Sequence, residues 1–182
     1  GDLGGLCASE LIAGKFNPSG KLSISFPRAS GALPCYYNSY PGWHSSKYCD
    51  VDEGSLFDFG FGLSYTKFEY SDLKISKKEI HKDEDFEVSV KIKNTGGMDG
   101  KEIAELYIND KISSVITPVK QLKRFKKIFI KSGEEVTVTF KINAEELGFI
   151  SPDGKLTTEA GEFEIFVGGN LSDLQREVIT VI

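Results

Sequence analysis

From residue 66 onward, apolar and polar side chains alternate along the chain. Phe86, Val88, Val90 and Ile92 interleave with Glu87, Ser89, Lys91 and Lys93. Successive strand residues point to opposite faces, so this spacing predicts a half-buried strand. The pattern returns at Ala104, Leu106 and Ile108, from Leu122 to Ile130, and at Val136, Val138, Phe140 and Ile142. It returns again at Phe163, Ile165 and Val167, and from Val178 to Ile182, while Phe68 to Ile75 opens the series. Asn94-Thr95-Gly96-Gly97 and Ser132-Gly133 supply turn residues between these runs. A single helical turn is expected at Ala144-Glu145-Glu146-Leu147, capped by Asn143. About seven short strands separated by turns predict a two-sheet antiparallel β-sandwich of the immunoglobulin or fibronectin type III kind.

Residues 1 to about 64 have a different texture, rich in Gly, Pro, Ser and aromatics. Leu3, Cys7 and Leu11, with Ala8 and Ile12 beside them, make one apolar stripe at helical spacing, and Gly14 is a natural terminator. Asn17-Pro18-Ser19-Gly20 reads as a turn, and Leu22 to Phe26 alternates like a strand ended by Pro27. Helix, turn and short strand together suggest the tail of an α/β layer. Residues 28–56 show no period; Tyr36, Tyr37, Tyr40, Trp43 and Tyr48 punctuate them, as in an ordered connection pinned by aromatics.

Composition narrows the function classes. The 22 Lys+Arg are outnumbered by 27 Asp+Glu, and a net charge of −5 argues against a nucleic-acid partner. No apolar run approaches the roughly 20 residues that span a bilayer, so no membrane role is expected. The chain begins at Gly1 without Met, which suggests a piece of a longer protein. Cys7, Cys35 and Cys49 form no CxxC pair; they read as small apolar thiols, with a Cys35–Cys49 disulfide or a zinc site including His44 as alternatives. Unpaired thiols lean toward a cytoplasmic, reducing setting. Asn170-Leu171-Ser172 is a glycosylation sequon.

Several segments resemble glycoside hydrolase family 3. Asn17-Pro18-Ser19-Gly20-Lys21-Leu22 with Phe26-Pro27 is similar to its "NPSGKLPVTFP" segment, and Leu33-Pro34-Cys35-Tyr36-Tyr37-Asn38 to its "LPLYYN" segment. Phe57 to Thr66, then Phe68-Glu69-Tyr70, resembles "FPFGYGLSYTTFEY". Val88 to Gly96, Asp99 to Tyr107 and Leu122 to Phe125 resemble further segments in the same order. The resemblance implies that residues 1–40 end an α/β sandwich domain, 41–65 form a link, and 66–182 form a fibronectin type III-like sandwich. It also implies a retaining β-glucosidase or β-xylosidase acting on terminal β-linked sugars, with the rest of the enzyme and a β-linked carbohydrate as partners. A homodimer is a further option, and no cofactor or metal is implied.

Retaining hydrolysis needs two carboxyl groups about 5 Å apart. The family's nucleophilic Asp lies in an "SDW"-like motif; Ser71-Asp72-Leu73 and Ser172-Asp173-Leu174 lack the Trp. No catalytic residue is therefore carried over, and this chain alone is expected to be inactive. Asp83-Glu84-Asp85, Glu134-Glu135 and Glu145-Glu146 read as solvated surface, since strand neighbours face opposite ways. Trp43, His44, Tyr48, Asp50 and Asp52 combine aromatics with carboxylates and are candidates for the substrate rim. Asp50 to Gly54 does not fit an EF-hand, because its glycine comes one place early. His44 and His81 lack a nucleophile motif beside them. Phe57, Phe59, Gly60, Phe61, Gly62 and Tyr65 read as a domain-docking motif, the rings for burial and the glycines for close backbone approach. A carbohydrate-binding or adhesive sandwich is the alternative reading, motivated by the aromatics of residues 36–48.

Overall fold

The structure is a computed structural model that describes residues 1–32, 34–42 and 54–182. Alternation becomes a sandwich where predicted. A three-stranded sheet is ordered β3 (Phe68–Ile75), β5 (Asp85–Asn94), β8 (Glu135–Asn143). Facing it is a five-stranded sheet ordered β4 (Glu79–Ile80), β12 (Asp173–Val181), β11 (Gly161–Asn170), β6 (Gly100–Asp110), β7 (Gln121–Ile130). All pairings in the two sheets are antiparallel except β12 with β4. The short β4 escapes a reading from periodicity because two residues cannot show a period; Ile80 is nonetheless buried in the core.

The inward set is the one the alternation selects. Phe86, Val88, Val90 and Ile92 of β5 meet Val138, Phe140 and Ile142 of β8, and these pack against Leu106, Ile108, Phe163, Ile165, Val167 and Ile179 of the other sheet. Each such side chain contributes about 1.5–3 kcal/mol on burial. The expected helical turn is a 3-10 helix at Ala144–Leu147 with a full capping box: Asn143 Oδ1 accepts from the Glu145 amide, and Glu146 accepts from the Asn143 amide. A small hairpin follows, β9 (Phe149–Ile150) with β10 (Leu156–Thr157).

The first region departs from its reading in two places. Helix α1 (Gly4–Ile12) forms and Gly14 takes φ +69° after it, as expected. The segment 17–20, however, is not a closed turn. Asn17 reaches outward instead, donating to the Asp99 carbonyl at 3.1 Å and accepting from the Tyr65 amide at 2.9 Å. Of residues 22–26 only Phe26 lies in a strand, and Pro27 belongs to that strand rather than ending it. Leu22 exchanges backbone bonds with Phe61 and Gly60, both at 2.8 Å, and strand structure is confined to β1 (Phe26–Pro27) paired with β2 (Ser55–Phe57). A strand of an α/β sheet needs neighbours on its edges, and here one backbone clip and one two-residue ladder supply them.

Asn94 joins the strand ends. It is fully buried; its amide group donates to the carbonyls of Met98 (2.9 Å) and Ile130 (3.1 Å), while its oxygen accepts from the Gly96 amide and the Thr66 hydroxyl. Replacing Asn94 with Leu strands two carbonyls, an amide and a hydroxyl, and should lower stability by about 2–4 kcal/mol. An unchanged urea midpoint would contradict that assignment.

Candidate functional site

The described residues concentrate their buried polar groups where residues 1–65 meet the sandwich. Glu102 lies in phase with Ala104, Leu106 and Ile108, so the pleat turns its carboxylate inward at one mouth of the sandwich. A buried carboxylate needs a partner. Lys21, on the extended run after Pro18, inserts from outside: Nζ lies 3.1 Å from Glu102 Oε1 and donates to the Gly169 carbonyl at 2.8 Å. The Tyr70 hydroxyl donates to the same Glu102 oxygen at 3.0 Å. Burial, and then the neighbouring Glu102 charge, push the Tyr70 hydroxyl well above the usual phenol range, so it stays a donor.

The aromatic motif crosses the outer face of the five-stranded sheet. Gly60 takes φ +79°, and a Cβ there would sit 2.5 Å from Glu105 Oε2. A Cβ at Gly62 would sit 2.4 Å from the Gly20 carbonyl oxygen. Both positions therefore require glycine, one for conformation and contact, the other for contact. Under Gly60, Glu105 is buried and accepts from the Tyr107 hydroxyl at 2.6 Å. Burial pushes the Glu105 carboxyl up, while the Tyr107 hydrogen bond and the Lys21 charge pull it back. Tyr37 stacks on Phe59 with ring centroids 4.2 Å apart, and both rings meet Tyr107 edge-on. Polar clasps flank this column: Ser172 Oγ donates to Asp58 at 2.8 Å, and Tyr65 donates its hydroxyl to the Leu11 carbonyl at 2.8 Å.

The other face of residues 1–65 is uncovered. Leu3 at the start of the helix, Leu6 and Ile12 within it, and Leu63 and Phe57 are exposed, and α1 buries no residue. Leu11, Leu22, Phe26, Phe57, Phe61 and Leu63 line a groove of about 830 Å³. Such a contiguous apolar surface is what interaction sites look like.

Trp43, His44, Tyr48, Asp50 and Asp52 lie outside the described residues, as does Cys49. Cys35 Sγ lies 3.5 Å from the Gly54 carbonyl, and Cys7 is exposed. Asp72 is 2.9 Å from Lys91, whose hydrogen bond and charge hold its carboxyl below the usual range. Glu84 and Asp85 pair with Lys77 and Lys141. His81 sits in an exposed turn, its amide bonded to Glu84. In the sequon, Asn170 Oδ1 accepts from the amides of Ser172 and Asp173 and closes the β11–β12 turn. Among the described residues no group of three His, Cys, Asp or Glu could hold a metal ion, and no helix is long and apolar enough to cross a membrane. Lys21, Tyr70, Glu102, Glu105 and Tyr107 all fall within the segments that carry the family resemblance, but no role for any of them is read from the sequence. One signal was available, a Glu in phase with an apolar strand face.

Comparison with known proteins gives this geometry a context. Residues 1–65 match the family model "Glycosyl hydrolase family 3 C-terminal domain", and residues 102–171 match "Fibronectin type III-like domain". A putative beta-xylosidase of Formosa agariphila is 40% identical over 96% of this chain and 23% of its own length. The thermostable beta-glucosidase B of Acetivibrio thermocellus is 42% identical over 94% of this chain and 24% of its own. A beta-glucosidase from Listeria innocua, solved in complex with glucose, superposes with a TM-score of 0.87 at 35% identity, covering 96% of this chain and 26% of that one. The chain thus spans about a quarter of the length of the curated relatives it matches. Matched by two successive family domains and aligned almost throughout with the C-terminal part of these relatives, the chain belongs to glycoside hydrolase family 3 and corresponds to its C-terminal portion.

Proposed function

We propose that this chain serves a family 3 β-glycosidase as its docking and stabilising end, the whole protein cleaving terminal β-linked glucose or xylose with retention. The observation that carries this reading is the two-sided character of residues 1–65. One side is fastened to the sandwich through Lys21, Asn17 and the Phe57–Tyr65 motif; the other presents the apolar groove and the exposed stripe of α1. The preceding part of the α/β domain is the occupant this surface suits, and the reacting carboxyl pair is proposed to lie on the domains that precede this chain, the nucleophile on a barrel and the acid/base on the α/β domain. Trp43, His44, Tyr48, Asp50 and Asp52 are proposed to reach the substrate rim from the link, and Phe57, Phe59, Gly60, Phe61, Gly62 and Tyr65 to form the docking motif. The 182-residue chain alone should give no turnover of aryl β-glucosides or β-xylosides, whereas joining it to the preceding domains of its own gene should give an active enzyme. Steady turnover by the chain alone, surviving repurification, would overturn the assignment of the catalytic pair.

The fastening has its own test. Lys21→Met leaves Glu102 charged and unpaired in a buried place, which should cost about 3–5 kcal/mol. Limited proteolysis should then release residues 1–65 ahead of the sandwich. Adding Glu102→Leu removes the stranded charge and should recover part of the loss; equal midpoints for all variants would rule out the clasp.

Glu105 gives the fold a pH response of its own. Its folded carboxyl titrates above the unfolded value near 4.5, so the charged form costs stability at neutral pH. That cost is present in full above the raised folded pKa and vanishes below the unfolded one. Glu105→Gln should therefore raise the urea midpoint at pH 7, and the gain should shrink as pH falls toward 4.5. A gain that grows on acidification would contradict the burial argument.

A further inference from the structure

Between Val115 and Gly133 the chain carries no acidic residue, yet it holds Lys120, Lys123, Arg124, Lys126, Lys127 and Lys131. In a chain of net charge −5 this is a local reversal of sign. The fold uses part of it. Arg124 pairs with Glu146 at 2.6 Å, Lys126 donates to the Thr139 carbonyl at 2.6 Å, and Lys120 lies 5.4 Å from the centre of the Phe166 ring. Lys127 has no such use. Ile128 and Ile130 point to the core, so Phe125, Lys127 and Phe129 share the outward face of β7, an edge strand. Across the ladder Phe129 stands opposite Lys101, and Lys127 opposite Ile103. Lys101 and Lys127 are exposed and form no ion pair among the described residues. Phe125 and Phe129 are 66% and 52% exposed.

The acids nearby are already engaged. Glu105, opposite Phe125, is covered by Gly60; Asp99 accepts from the Ser132 amide, and Glu134 from the Lys131 amide, at the turn beyond Ile130. What remains is a flat strip with two rings about 13 Å apart, a lysine between them and a second lysine alongside.

We infer that this strip binds a β-linked glycan bearing uronic acid groups. The inference rests on the family 3 reading above and deepens it by naming a substrate class. Phenyl faces take the C–H faces of pyranose rings, and the two ammonium groups take carboxylates. The pattern favours a sparsely charged polymer. Nucleic acid carries a charge every 1.7 Å or so along the duplex and would meet the repulsion of the chain's 27 carboxylates. A vesicle surface needs more inserted apolar area than two rings provide.

The test is affinity electrophoresis and calorimetry of the 182-residue chain with glucuronic-acid-substituted xylan, unsubstituted xylan, oligodeoxythymidine and phosphatidylserine vesicles. Binding to the substituted xylan should weaken with added salt, and should fall about tenfold or more in Lys101→Glu/Lys127→Glu and in Phe125→Ser/Phe129→Ser. Urea midpoints matching the parent chain establish that both variants fold. Equal affinity for unsubstituted xylan, tighter binding to the oligonucleotide or the vesicles, or no measurable binding each overturns the inference. Such failure alongside turnover by the joined enzyme would leave the family 3 reading intact; absence of turnover in the joined enzyme would count against that reading alone.

Discussion

A carboxylate that faces the inside of a β-sandwich obliges the rest of the molecule to answer it. Glu102 occupies an inward position on β6, where Ala104, Leu106 and Ile108 continue the apolar row. Among the described residues, the sandwich itself contributes the Tyr70 hydroxyl. The counter-charge comes from Lys21, eighty-one positions away in sequence. The consequence is directional. Residues 17–22 must run extended past the sandwich mouth to deliver the ammonium group, and that path leaves Asn17 beside Asp99 and Tyr65. The clip between Leu22 and residues 60–61 then follows from the same trajectory. An ion pair in such a place adds little net stability over an apolar pair of equal size, but losing one partner is costly. Its service is to specify where the first segment sits.

That specification explains how a segment without a core of its own holds a defined position. Helix α1 buries nothing and the first ladder is two residues long. Local propensity cannot hold such elements, because short helices and isolated two-stranded ribbons are marginal in water. The order comes from contacts with the sandwich: the Tyr37–Phe59–Tyr107 column, the Asp58–Ser172 bond and the Lys21 clasp. The face left open is apolar because those contacts use only one side of each segment.

The sandwich was legible because its signal is local. A period of two over eight or more residues needs no knowledge of partners, and β3, β5, β7 and β8 fall within a residue or so of the alternating runs. The capped turn after Asn143 was legible for the same reason, since cap and box lie within four residues. What failed was the reading of residues 17–26. Pro-Ser-Gly and a short alternation suggest a turn and a strand, but both depend on neighbours that sequence spacing does not reveal. The seam residues were missed in a more instructive way. Glu102 breaks the apolar row of β6, and a charged residue in phase with a core face already implies a partner from elsewhere. The identity of that partner was not in the strand.

The same logic separates two accounts of the basic strand β7. Lysines on an exposed edge protect a sheet from pairing with other strands, and Lys126 and Lys127 suffice for that task. Edge protection does not call for aromatic rings, and a strand kept from association gains nothing by exposing Phe125 and Phe129 on one face. Charge and ring area together are the marks of a surface with an occupant, whereas either alone has a simpler cause. The two exposed faces of the chain then differ in kind. The groove beside α1 is apolar and suits a neighbouring protein layer, while the β7 strip alternates rings with cations and suits a polymer that is partly apolar and partly acidic.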